Sequence, residues 1–160
     1  MHNTIIELSI NEILDTAISE SGQWFRALRS TASDAESASI TDNASDDLLL
    51  TEDDKHAMTK HLKVFVSDLY QSIRGYCPEY AFDEEGDVIA FAIEGVEDCN
   101  TAPRVTPLME SYFVYSILAW WYRYRNGETA NNYLLLADDI RKQVLSVIVP
   151  RFGTRKLRMF

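Results

Sequence analysis

Glycine is scarce in this chain, with six residues, and proline scarcer still, with four. So few glycines leave little room for a phosphate-cradling loop. Neither the Gly-Lys-Ser/Thr phosphate loop nor the dinucleotide glycine fingerprint occurs. Serine-nucleophile motifs are absent as well. There are only two cysteines, Cys77 and Cys99. Two so far apart form neither a disulfide framework nor a zinc set, and two reduced thiols are expected, although both flank one predicted hairpin. Long apolar runs are missing too. The longest, Tyr112 to Tyr122, is interrupted by Ser116 and falls far short of the roughly 20 residues that span a bilayer. Met1 to Asn3 is not followed by a charged region and an unbroken apolar run, so no signal peptide is read. An intracellular protein, cytoplasmic when synthesised, is expected, with no membrane contact and no small-molecule substrate.

What is present fits one soluble domain over residues 1–160. The apolar share is 46% and the charged share 25%, both ordinary for a globular protein. Net charge is −10 but unevenly placed. Residues 1–103 carry 21 acids and 6 bases, a net of −15, and residues 104–160 carry 4 acids and 9 bases, a net of +5. A uniformly anionic surface repels nucleic acid. The polarised one permits head-to-tail contact between copies, or docking of the basic end on an acidic partner.

Hydrophobic periodicity predicts four helices. The first begins at Thr4 or Ser9, each opening a capping box with Glu7 or Glu12. It carries the stripe Ile10, Ile13, Leu14, Ala17, Ile18, Trp24, Phe25 and Leu28, with a kink or break at Ser21-Gly22. Residues 30–47 hold Ser, Thr, Ala, Asp, Asn and one Glu, with Ile40 the single large apolar residue, and read as a flexible linker or long loop. Thr51 caps the second helix, Glu52, Asp53 and Asp54 complement its dipole, and Gly75 ends it. Met58, Leu62, Phe65, Leu69 and Ile73 form its stripe, widened by Val66 and Tyr70. Tyr76–Phe82 and Val88–Ile93 read as a β-hairpin whose turn places Gly86 in the left-handed position. Two strands alone are marginal, so the hairpin must pack on the helices or extend a neighbour's sheet. The third helix opens at Thr106-Pro107 and is apolar nearly all round. It is therefore either the central helix or partly an oligomer interface. Asn126-Gly127 turns the chain into a fourth helix from about Thr129 to Pro150, striped by Tyr133, Leu136, Ala137, Ile140, Val144, Val147 and Ile148. The fold class expected is mainly α: a four-helix bundle-like core with a C-terminal antiparallel helical hairpin and a small β-hairpin insertion. A basic tail occupies residues 150–160.

Candidate chemistry is thin. His56 and His61 lie five apart on different helical faces, and even with Asp53 or Glu52 they give too few ligands for a metal. Both are expected to be solvated. Asp83, Glu84, Glu85 and Asp87 do not follow the calcium-loop spacing and read as an acidic hairpin tip. Cys77 has no histidine close in sequence. No nucleophile–base pair can be assembled, so a non-enzyme without cofactor or metal is expected. Trp120 to Arg125 interleaves rings and bases, which suits nucleobase stacking or, better, a core or interface helix. The tail supplies Arg151, Arg155, Lys156 and Arg158, with Leu157, Met159 and Phe160 as apolar anchors. Trp120, Trp121, Tyr124, Arg151, Arg155, Lys156, Arg158 and Phe160 are the protein-interaction residues this reading selects.

The run Ser111 to Tyr115, then Trp120-Trp121-Tyr122, then Glu128 to Tyr133 and a helix ending before Arg151, resembles the small helical neck proteins of tailed bacteriophages. Leu50 to Asp54 is similar to the acidic helix start found there. These head–tail connector or adaptor proteins join portal to tail. The resemblance covers about two-thirds of the chain and rests on texture, not on a defining motif; the acidic N-terminal part departs from it. It implies a helical bundle with a projecting hairpin or loop, assembling as a ring, with no catalytic residues. The expectation is a structural protein of a phage or prophage virion that touches other copies of itself or other virion proteins. The alternative is a small regulatory or nucleic-acid-associated module using the basic tail with Arg123 and Arg125.

Overall fold

A computed structural model describes residues 3–31, 49–94 and 100–148, with side chains in the first stretch described only to residue 23. The expected linker, apart from the backbone of Ser30 and Thr31, and the expected basic tail lie outside the described residues. The chain is mainly helical with a small antiparallel sheet. In chain order it runs β1 (Asn3–Ser9), α1 (Ile10–Thr31), a 3₁₀ turn (Glu52–Asp54), α2 (Lys55–Ile73), β2 (Glu79–Asp83), β3 (Val88–Glu94), α3 (Thr101–Tyr122) and α4 (Gly127–Ile148). Among the described residues, no helix is long and apolar enough to cross a membrane.

The first correction is β1, where a helix start was expected. Residues Asn3–Ser9 pair antiparallel with β3, from Asn3 opposite Glu94 to Ser9 opposite Val88. The physical reason is a period of two. Ile6 and Leu8 are buried while Ile5 and Glu7 are exposed, and adjacent β-branched residues favour a pleated backbone. The Thr4 capping box therefore does not operate. The one at Ser9 is half realised: the Glu12 N–H donates to Ser9 Oγ at 3.2 Å, and α1 starts at the next residue. β3 is central in the order β1-β3-β2, so the chain's own N-terminal strand completes the predicted hairpin. The sheet buries Ile6, Leu8, Ile89, Phe91 and Ile93 on one face.

Helix α1 continues through Ser21 and Gly22 without a break. Ser21 is buried and its hydroxyl has two uses. It donates to the Ile18 carbonyl at 2.8 Å and accepts the Leu50 N–H at 3.2 Å, fixing the returning chain against α1. The acidic leader then forms a 3₁₀ turn ahead of α2, not its first α-turn. The Asp54 carboxylate accepts the Thr51 N–H at 2.9 Å. Lys55 bridges Asp15 at 2.8 Å and Glu52 at 2.7 Å. In α2 the buried stripe is Met58, Leu62, Val66, Leu69 and Ile73, with Phe65 only partly covered. The helix closes at Ile73, before Gly75, by a tight turn in which the Tyr76 N–H donates to the Ile73 carbonyl at 2.8 Å.

Helix α3 begins at Thr101, not at Thr106, and carries Pro107 inside it. Thr106 is no cap: its hydroxyl donates back to the Ala102 carbonyl at 2.7 Å. Proline at Pro103 costs nothing there, since first-turn N–H groups have no helical acceptor. More than half of α3 is buried, against α1, α2, α4 and β1. Of the two roles its composition allowed, it is the central helix. Phe113 stacks on Phe91 of the sheet at 6.4 Å. On its other side Tyr115 and Tyr122 stack on Tyr133 of α4 at 5.8 Å and 6.0 Å. Asn126 caps α4, its Oδ1 accepting the Thr129 N–H at 3.2 Å, so that helix starts two residues ahead of Thr129.

Candidate interaction surface

The rings of α3 that sequence reasoning selected have separate fates. Trp121 is 7% exposed. The Arg125 guanidinium lies 3.6 Å from its ring centroid, and Nη1 donates to the Trp121 carbonyl at 2.8 Å. A cation so placed covers an indole face and holds it by electrostatic attraction. Trp120 is half-buried and stacks on His61 of α2 with centroids 4.1 Å apart. Tyr124, just past the helix end, is 85% exposed. The structure thus leaves Tyr124 and one side of Trp120 at the surface and places Trp121 in the core. Arg151, Arg155, Lys156, Arg158 and Phe160 lie outside the described residues.

His61 is not the solvated side chain expected from its spacing. It is half-buried, and desolvation pushes its pKa below the ordinary histidine value. His56 is exposed and one turn and more away.

His61 and Trp120 sit at the edge of an open groove of about 850 Å³ between α2 and α4, floored by α3. Phe65 lines one wall and Leu134 and Ala137 the other, while Ser116 and Ala119 line its α3 side. Small side chains at those floor positions let the walls stand apart. Asp138 at the rim is already engaged, binding Arg141 at 2.7 Å and Lys142 at 2.8 Å. The Ser116 hydroxyl donates to the Tyr112 carbonyl at 2.7 Å. The groove therefore offers apolar and aromatic surface with rim charges, not a nucleophile beside a base.

The outer surface of α4 is the larger surprise. Leu134, Leu135 and Leu136 are 56%, 67% and 44% exposed. Sequence periodicity put Leu136 on the buried stripe and passed over the other two. The signal was available: three consecutive helical residues span about 200° of arc, more than one packed face can cover.

Other clusters carry less. A smaller groove of about 380 Å³ between α1 and α3 is lined by Glu12, Asp15, Glu20 and Glu110. Desolvation, with the nearby Glu12 carboxylate, raises the Glu110 pKa. Asp15 is neutralised by Lys55. Among the described residues, no group of three or more His, Cys, Asp or Glu side chains is placed to hold a metal. At the hairpin tip the carboxylates have structural work: Asp83 Oδ1 accepts the Gly86 N–H at 3.0 Å, and Asp87 reaches α1. Cys77 is buried, its thiol donates to the Glu79 carbonyl at 3.1 Å, and burial raises its pKa. Such a thiol is unreactive. Cys99 lies outside the described residues. No protein-family model matches the chain, and comparison with curated proteins and with solved structures yields no match.

Proposed function

We propose that this chain is a structural or assembly protein that acts through contacts with other polypeptides, as a phage or prophage virion component of head–tail connector type with a helical bundle-like body. The observation that carries the contact reading is the exposed leucine turn of α4. Three large apolar side chains facing water on one helix are costly unless something covers them. Burying each is worth about 1.5–3 kcal/mol, and contiguous exposed apolar surface marks interaction sites. The open groove beside Leu134 adds to the same surface. The virion assignment draws on the resemblance of Ser111 to Tyr133 to the neck proteins.

The nucleic-acid alternative draws on Arg123, Arg125 and the tail. Arg125 is held on Trp121, which weakens that reading. Particle proteomics tests the virion proposal. Prophage induction in the producing cells, gradient purification of the particles and mass spectrometry should find the chain co-banding with portal and capsid proteins. Particles that contain those proteins and lack this chain would overturn the virion reading.

A further inference from the structure

We infer that α4 packs against α4 of a second copy, antiparallel, across a two-fold axis at Leu135. The inference rests on the protein-contact part of the proposal above and names the partner. It does not depend on the virion assignment.

The outward crest of α4 is Glu128, Asn131, Leu135, Asp138 and Lys142. Their spacing alternates three and four residues, the repeat that keeps positions on one seam of a helix pair. Tyr133, Ala137 and Val144, which are buried, occupy the opposite side. A two-fold axis at Leu135 sets each residue that precedes it against the one equally far beyond it in the second copy.

Read outward from Leu135, the oppositions match. Leu135 meets itself, 67% exposed in the single chain. Leu134 and Leu136 point to opposite flanks of the seam, about 100° to either side, so Leu135 is the leucine that the axis buries. Asn131 comes level, within one residue, with Asp138 of the second copy on the same flank, an amide donor against a carboxylate. Glu128 meets Lys142, twice over by symmetry. Lys142 is 67% exposed and shares Asp138 within its own chain. Such an exposed pair is worth little, so the ammonium can also serve a carboxylate across the seam. The parallel pairing fails the same check, because it sets Glu128 on Glu128 and Lys142 on Lys142. Like charges opposed in this way select against the wrong arrangement. The contact is isologous and closes at two copies.

Disulfide trapping on the intact chain tests this directly. Leu135→Cys puts a thiol at the axis, where the two copies bring it together. Val64→Cys, 54% exposed on α2, puts one elsewhere, and the parent chain controls for Cys99. Mild oxidation should give a covalent dimer from Leu135→Cys and not from the other two. No trapping at Leu135, or equal trapping at Val64, overturns the inference. A charge swap gives a second readout. Glu128→Lys should weaken dimerisation roughly tenfold, and adding Lys142→Glu should restore it. Circular dichroism checks that each variant is folded. A folded Glu128→Lys that dimerises as before, or a folded double variant that does not recover, also overturns it.

Discussion

Asp87 ties the β2–β3 turn to the start of α1. It is the one non-glycine residue with a positive φ among those described, at 55°. Its Oδ2 accepts the Ser9 hydroxyl at 2.7 Å and its Oδ1 the Asn11 N–H at 2.7 Å. The β2–β3 turn thereby supplies an anionic cap to α1, where unsatisfied N–H groups and the helix dipole favour negative charge. These hydrogen bonds, the Ser9 hydroxyl first, hold its pKa below the usual carboxylate value. Asp87→Asn keeps a side chain that tolerates the left-handed backbone and removes the charge. It should lower the unfolding free energy at pH 7 by about 0.3–1 kcal/mol, the usual worth of a negative charge at a helix N-terminus. The sign with pH follows from linkage. The folded pKa is depressed, so the stabilisation is fully present above the unfolded value of about 3.9 and is lost as pH falls through the folded value. Urea titrations from pH 7 to 3 should show the gap between parent and variant closing at the acid end. A gap that stays constant with pH would contradict the charged-cap account. The sequence reading gave the left-handed position to Gly86, because glycine is the default there. The conformation went to Asp87, because its carboxylate is tied down across the molecule. Gly86 packs against the Asp83 carboxylate, which would have to rotate away to admit a Cβ there.

At the scale of elements, the helices were legible because their stripes repeat every 3.6 residues and their caps are local. Ile10, Ile13, Leu14 and Ala17 of the first stripe and Met58, Leu62, Leu69 and Ile73 of the second are buried. β1 was not legible because Thr4 and Glu7 imitate a capping box directly ahead of a true helical stripe. Its alternation covers only seven residues, too few to outweigh the pattern that follows. The strand assignment makes adjacent residues behave oppositely. Ile6→Ala, at 1% exposure, should cost about 2–5 kcal/mol in urea unfolding. Ile5→Ala, at 61% exposure, should stay within about 0.5 kcal/mol. Equal costs at the two positions would contradict the register with β3. The first turns of α3 were hidden by Pro103 and Pro107, which read as loop and start. Pro103 sits in the first turn, where proline is tolerated, but Pro107 lies beyond it at the cost of one backbone hydrogen bond, and the sequence alone favoured the later start.

At the scale of the molecule, the sequence reading drew its protein contact from the rings of α3, and the proposal here draws it from the outer turn of α4. Ring density in α3 was read as excess apolar area. Those rings are used inside the chain: Phe113 on the sheet, Tyr122 on Tyr133, Trp121 under Arg125. Whether an all-round apolar helix is central or interfacial depends on what packs around it, which periodicity does not encode. Among the described residues, the proposal assigns partner contact to the leucine turn of α4 with the adjoining groove. Its self-complementary charges are visible only once the outward face of α4 is known. Sedimentation equilibrium of the intact chain and of Leu135→Glu, over a wide range of concentration at moderate salt, tests this most directly. The parent should approach twice its 18.3 kDa chain mass as concentration rises, and Leu135→Glu should remain at the single-chain mass while still folded. A parent that stays monomeric throughout, or a variant that associates equally well, would contradict the account.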